Sequence, residues 1–293
     1  MIILTFISDP GVKIPHYTYY CIKALRHYNP DMPIHFISNV DHGFERVFKE
    51  FNVEWFDMNL YDSWELEKFK QTCDLKKHGT PNTTYQSPPN FFYGAMARLF
   101  YIGAHVQKYG INNFYHLEND VLVYYPFEKN VGTFNDIAYP EMGDNLSTFS
   151  IVKCKNVQSW IIMLMYMLKY IDMSEQKFCQ TYGADMFNEM TAGYIFMNET
   201  NFAADINDLL HQNYFFDPGS CGQYLGGTNN GHGPGWSGDH HYIGKGIQNG
   251  NIRVWIENKK PMIEFTTDRG TLWKMPLFNL HVHSKKLEDF IDV

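Results

Sequence analysis

Cysteine is scarce. The 293 residues contain five, Cys21, Cys73, Cys154, Cys179 and Cys221, which are odd in number, scattered and free of C-x-x-C spacing. That argues against both a zinc ribbon and a disulfide framework. Positive charge is short as well: 24 Lys+Arg face 32 Asp+Glu, a net charge of −8. This is the wrong balance for a protein that grips nucleic acid through its phosphates, and no nucleic-acid partner is expected. No apolar run approaches the ~20 residues needed to span a bilayer. The most apolar one, Trp160–Leu168, runs into Lys169 and reads as a buried helix. A P-loop is missing, since no G-x-x-x-x-G-K-[ST] occurs, and there is no internal repeat. The opening MIILTFISD lacks the basic n-region of a secretory signal, so a soluble, cytoplasmic protein is expected.

Core-forming residues are plentiful. Apolar residues make up 44% of the chain and aromatic residues 17%, which excludes a disordered chain. The first half alternates short apolar runs with helical patterns. Ile2–Ile7, Pro33–Ser38 and Val53–Met58 read as strands, and Pro15–Tyr28 and Phe44–Phe51 as the helices between them. This β-α-β-α-β order predicts parallel strands joined by helical crossovers. Phe91–Tyr109 is strongly helical, with Ala95, Leu99, Ile102 and Val106 on one stripe. Asn113–Tyr125 is an apolar strand interrupted by two carboxylates. Later come a short strand at Asp136–Tyr139, a helix at Val157–Tyr170, a strand at Thr191–Asn198 and a final strand at Met275–His283. Half of the 22 glycines fall between residues 217 and 250, which predicts a long functional loop. No linker divides the chain. The expectation is one α/β domain over 1–293.

Two clusters carry chemistry. Glu118-Asn119-Asp120 follows directly on the strand FYHL, and the carboxyl ends of parallel strands are where open α/β sheets bind ligands. Hard carboxylate oxygens there suit Mg²⁺ or Mn²⁺, which can bridge to the oxygens of a diphosphate. Near the other end, His281 and His283 share one face of an extended segment, with Lys285 and Lys286 just beyond. One histidine can complete a Mn²⁺ site begun by the acidic triplet, and a lysine can meet a phosphate as a point charge.

These landmarks resemble the metal-dependent nucleotide-sugar glycosyltransferases of the GT-A fold. The nearest pattern is that of the glycogenin and bacterial lipooligosaccharide galactosyltransferase branch. An arginine-bearing helix, a short loop and a strand ending in an acid-x-acid motif recur here in ARLFYIGAHVQKYGINNFYHLENDVLVYY, Ala97–Tyr125. HLENDVLVY, FDPGSCGQYLGG and the HVHSK ending also look like bacterial and large algal-virus sugar transferases. The resemblance implies a mostly parallel, Rossmann-like sheet flanked by helices with a smaller acceptor-side region, 1–125 being the nucleotide-binding half and 126–293 the acceptor-binding half that ends in the metal-binding strand. It further implies Mn²⁺ (or Mg²⁺), a nucleoside-diphosphate sugar, by default a UDP-sugar, and a glycan or glycoconjugate acceptor.

Residue by residue, it assigns the metal to Asp120, Glu118 and a terminal histidine, His283 being preferred over His281 because it lies nearer the strand end. Arg98 and Lys285 would hold phosphate or sugar, and Glu118 and Asn119 would border the donor. Ala192 and Gly193 would do so from a small-residue strand, TAGYIFMN. The nucleotide base is expected over Phe6, Ile7 and Ser8. A carboxylate base for the acceptor hydroxyl is sought at Asp217 or Asp239, with Asp185 behind them. Gln223 can bond a sugar hydroxyl, and Tyr224, Trp236 and Tyr242 can stack on sugar faces. Two rival readings stand beside this one: a metal-dependent nucleotidyltransferase or phosphohydrolase, and a carbohydrate-binding protein without turnover.

Overall fold

The computed structural model describes residues 1–8, 12–40, 43–73, 91–127, 136–184, 186–208, 213–229, 231–238, 242–266 and 270–293. The chain opens with β1 (Ile2–Phe6), α1 (Tyr17–Tyr28), β2 (Ile34–Ser38), α2 (Glu45–Glu50) and β3 (Val53–Asp57). A 3-10 turn at Met58–Leu60 leads into α3 (Trp64–Thr72), α4 (Phe91–Lys108), β4 (Phe114–Glu118) and β5 (Val121–Val123). Then follow β6 (Ile137–Tyr139), β7 (Glu141–Gly143), β8 (Leu146–Ser147) and β9 (Ile151–Cys154). Three helices, α5 (Val157–Ile171), α6 (Glu175–Tyr182) and α7 (Glu189–Glu199), precede β10 (Ala203–Asp205), β11 (Phe215–Phe216), α8 (Ser220–Gly226) and α9 (Tyr242–Gln248). The last strands are β12 (Ile252–Glu257), β13 (Lys260–Thr266) and β14 (Leu272–His281).

The central sheet has seven strands in the order β10-β6-β9-β4-β1-β2-β3. β9 runs antiparallel to both of its neighbours; every other pairing in the sheet is parallel. The α/β class and the mostly parallel sheet flanked by helices, both expected from the sequence, are present. Strand alternation feeds two cores. Ile2 and Leu4 of β1 join Ile22 and Leu25 of α1 on one face, while Ile3 joins Leu99 and Phe100 of α4 and Trp160 of α5 on the other. Among the described residues, no helix is long and apolar enough to cross a membrane.

Chain order reverses at the centre of the sheet. After β1 the chain runs outward through β2 and β3, then returns to place β4 on the other side of β1. Crevices at such switch points, beyond the carboxyl ends of the strands, are where open α/β sheets take ligands. A second sheet, β11-β14-β13-β12, reaches this point because β5 pairs antiparallel with β14, with Val123 opposite Asn279 and Val121 opposite His281.

Three expectations need correction. Thr191–Asn198 is no strand but lies within α7. Asn188 caps that helix, accepting from the Thr191 N–H at 2.9 Å, while the Thr191 hydroxyl accepts from the Asn188 N–H at 3.0 Å. That reciprocal capping box commits the segment to a helix whatever the β-propensity of its apolar run. The glycine-rich region is not one long loop either: α8 and α9 lie within it. Its glycines permit close packing, since a Cβ on Gly222 would stand 1.9 Å from the His281 carbonyl oxygen and one on Gly244 would stand 1.8 Å from that of Gly238. Finally, α3, α6 and the strands β7 to β13 had no counterpart among the elements expected from the sequence.

Candidate functional site

Alternation along β4 puts Phe114, His116 and Glu118 on the α4 side of the sheet, so Glu118 meets Arg98 from that helix. Arg98 Nη1 pairs with Glu118 Oε1. After the turn the chain enters β5 on the opposite side, which carries Asp120 toward β14. Asn119 anchors the turn by donating from Nδ2 to Thr18 Oγ1 of α1 at 3.1 Å. The β5–β14 ladder then sets the partner: Val282 N–H donates to the Asp120 carbonyl at 3.0 Å, and the His281 side chain falls between the two carboxylates. Its Nε2 lies 3.2 Å from Glu118 Oε2 and 3.3 Å from Asp120 Oδ2. One ligand atom each from Glu118, Asp120 and His281 falls within 4.8 Å of the others. Lys285, just beyond β14, places Nζ on Asp120 Oδ2 and 5.7 Å from the centre of the Tyr17 ring.

The histidine preference is thereby reversed. His281, not His283, joins the carboxylates. The His283 ring packs on His281 at 4.2 Å between centroids, and its Nε2 lies 2.8 Å from where a Cβ on Gly219 would stand. Alternation put both imidazoles on one side; only the register with β5 chooses between them.

Electrostatics inside this group favour its charged forms. Burial opposes ionisation of Glu118, but Arg98 and His281 outweigh it and hold the carboxyl below its ordinary pKa. At Asp120 burial is likewise overcome, by Lys285 and His281, and the pKa falls well below the ordinary value. Burial disfavours the His281 imidazolium, yet Asp120 and Glu118 raise its pKa. Two carboxylates and an imidazole form a donor set that suits a divalent cation such as Mn²⁺ or Mg²⁺. The buried His281 Nδ1 makes no hydrogen bond among the described residues.

The sequence reading missed Glu189. It opens α7, its Oε1 lies 3.9 Å from Arg98 Nη2, and burial pushes its pKa up to about 6 against the pull of Arg98. Its buried Oε2 has no hydrogen-bond partner among the described residues. An acid in the first turn after an Asn cap is the commonest of helix starts, so nothing local marks it.

Asp217 is not placed as a base. It is fully buried, and Oδ1 accepts from the Gly219 and Cys221 N–H groups while Oδ2 accepts from those of Gly222 and His281. With four donors filling both oxygens, it holds the start of α8 against β14. Asn279 completes the clamp, accepting from the Asp217 N–H at 3.1 Å. Ala192 and Gly193 are buried in α7 and face the core: the Gly193 carbonyl accepts from the Tyr139 hydroxyl, and a Cβ there would stand 2.7 Å from the Phe149 ring.

Gln223 Oε1 accepts from Gly238 N–H at 3.1 Å and so fastens the glycine-rich loop. On that loop the rings of Trp236 and His232 stack 4.0 Å apart. Tyr224 packs on the core, and Tyr242 is exposed at the start of α9. At the end of β1, Ser8 and Asn39 exchange two hydrogen bonds, Ser8 N–H to Asn39 Oδ1 and Asn39 Nδ2 to Ser8 O, extending the β1–β2 ladder by a side chain. Phe6 and Ile7 stand beside them, half-buried. Asp185 and Asp239 lie outside the described residues.

No protein-family model matches the chain, and no curated protein does. Among solved structures it is similar to apo mouse xyloside xylosyltransferase 1, at 10% identity and TM-score 0.43, over 70% of this chain and 83% of the other. It is similar to the galactosyltransferase LgtC in complex with donor and acceptor sugar analogues, at 15% identity and TM-score 0.40, over 74% and 76%. It is also similar to a glycosyltransferase involved in glycosylation of the major capsid of PBCV-1, at 12% identity and TM-score 0.31, over 62% and 75%.

Proposed function

We propose that the protein is a metal-dependent glycosyltransferase that moves a sugar from a nucleoside-diphosphate sugar, in first place a UDP-sugar, to a hydroxyl of a glycan acceptor. The observation that carries this reading is the meeting of Glu118, Asp120 and His281 at the switch point, bordered by Arg98 and Lys285. Breaking the bond between an anomeric carbon and a diphosphate oxygen places negative charge on the leaving group, and fixed positive charge there lowers the barrier. Glu118, Asp120 and His281 would hold Mn²⁺ or Mg²⁺, which when bound supplies Lewis-acid stabilisation of the diphosphate.

Lys285 then meets a diphosphate oxygen as a point charge. Arg98, fixed between Glu118 and Glu189, presents its remaining N–H groups to the donor sugar, and Glu189 Oε2 accepts from a sugar hydroxyl. Phe6, Ile7, Ser8 and Asn119 border the nucleotide at the carboxyl ends of β1 and β4. Trp236 with its stacked His232 offers an aromatic face to the acceptor. Asp239, with Asp185 behind it, remains a candidate base for the acceptor hydroxyl.

The test is thermal melting with UDP, GDP and CMP, each with and without Mn²⁺, followed by a panel of nucleotide sugars assayed for slow donor hydrolysis. One nucleoside diphosphate should raise Tm only when metal is present, and one donor should be hydrolysed. Identical melting under every condition removes the reading. Binding of free sugars without nucleotide or metal would favour a carbohydrate-binding protein instead.

A further inference from the structure

Asp120 Oδ2 receives two side chains at once, the His281 imidazole at 3.3 Å and the Lys285 ammonium in direct contact. Both come from one end of β14, and the backbone at Lys285 is held in the left-handed region, at φ +63°, with its N–H on the Val282 carbonyl at 3.0 Å. A non-glycine residue rarely adopts that conformation without a reason; here it turns the side chain back over the acidic turn. Around the turn Glu118, Asp120 and Glu189 face Arg98, Lys285 and His281. Asp120 is only 7% exposed at its side chain, so water offers it little alternative compensation. Oδ2, on which Lys285 rests, is also the Asp120 oxygen that faces His281 Nε2, so a divalent cation held between Asp120 and His281 meets the ammonium, and the two positive charges repel each other at that distance.

Resting on the proposed metal site, we infer that Lys285 is a built-in counter-ion of Asp120 that competes with the divalent cation and is handed over to the diphosphate when the two bind together. Metal alone has to displace the ammonium, which then has no partner of its own. A diphosphate arriving with the metal gives the freed ammonium a new anion. Metal and nucleotide therefore bind with positive coupling, and by linkage each raises the affinity of the other by the same factor. Lys285 is thus more than a phosphate contact: it sets the order of preference between an empty-handed metal ion and a metal–nucleotide pair.

Calorimetry and Mn²⁺ paramagnetic resonance on the full chain test this without turnover. Mn²⁺ alone, UDP alone and UDP at saturating Mn²⁺ are titrated into wild type, Lys285→Met, Lys285→Arg and Asp120→Asn, each first checked for a cooperative melt. Lys285→Met should bind Mn²⁺ alone at least tenfold more tightly than wild type, while its UDP affinity at saturating Mn²⁺ falls, so that the coupling factor shrinks. Lys285→Arg, which keeps the charge, should retain weak Mn²⁺ binding and the coupling. Unchanged or weaker Mn²⁺ binding by Lys285→Met, with binding by wild type intact and lost in Asp120→Asn, overturns the counter-ion role and leaves the metal site standing. Mn²⁺ binding that survives in Asp120→Asn, or is absent from every variant, overturns the site and the counter-ion role together.

Discussion

Asp217 Oδ2 accepts the main-chain N–H of His281 at 3.0 Å, so a carboxylate that never reaches solvent fixes the strand end on which the candidate metal ligand sits. The same side chain takes three more N–H groups from the turn into α8. Replacing it with alanine would leave four buried donors without an acceptor.

Asp217→Ala should therefore lose about 2–4 kcal/mol of stability, the range for removing a charged acceptor from a buried network, and bind Mn²⁺ more weakly through displacement of His281. Urea denaturation with a parallel Mn²⁺ titration checks both. A loss below about 0.5 kcal/mol, the range of an ordinary surface change, would show that the clamp does not hold the strand end.

Gly193 separates two readings of α7. If its segment lined the donor pocket, Gly193→Ala would change donor affinity. Because a Cβ there would press on the Phe149 ring at 2.7 Å, overpacking should instead cost about 1–3 kcal/mol of stability and leave UDP affinity near that of wild type. Unfolding curves and UDP titrations decide; a normal melt with a tenfold loss of UDP affinity would restore the donor-side role.

A buried histidine chain predicts how stability depends on pH. Tyr61 Oη lies 2.6 Å from His105 Nδ1, and His105 Nε2 lies 2.8 Å from His35 Nδ1. Burial holds the His105 pKa down at about 3, that of His116 also at about 3, and lowers that of His35. The unfolded chain takes up these protons near pH 6.5 and the folded chain at lower pH, near 3 for His105 and His116. The contribution of His105 and His116 is thus complete above pH 6.5 and is lost as pH falls toward 3, at up to about 1.4 kcal/mol per pH unit for each of the two.

Asp205, pushed up to about 7 by burial, and Glu189, at about 6, act with the opposite sign, gaining stability as pH falls. The decisive quantity is therefore a difference. Between pH 4 and 6 the slope of unfolding free energy against pH in His105→Gln should be lower than in wild type by about 1.4 kcal/mol per unit. Equal slopes would mean that His105 titrates normally in the folded chain.

The fold was legible where pattern and tertiary role agree. Ile2–Ile7 and Pro33–Ser38 are apolar on both faces because helices cover both, and the stripe through Leu99 and Ile102 is the buried side of α4. Legibility failed where distant contacts decide. Thr191–Asn198 has the composition of a strand, but Asn188 caps it as a helix. The glycines of 217–250 look like loop residues when read locally, and as packing residues only once β14 lies against them. At the site, the acidic triplet, Arg98, Lys285 and the paired histidines were all visible as residue types. The choice of His281 depended on the register of β5 with β14, two strands more than 150 residues apart, which no local pattern encodes. Glu189 reaches Arg98 only because α7 packs beside α4.

The measurement closest to the central claim is paramagnetic resonance of bound Mn²⁺ with UDP, read for hyperfine coupling to an imidazole nitrogen. Wild type and His283→Gln should both show that coupling, His281→Gln should lose it, and Asp120→Asn should bind no Mn²⁺. Coupling that persists in His281→Gln and disappears in His283→Gln, or Mn²⁺ that binds equally well without Asp120, would contradict the convergence of Glu118, Asp120 and His281 on one cation.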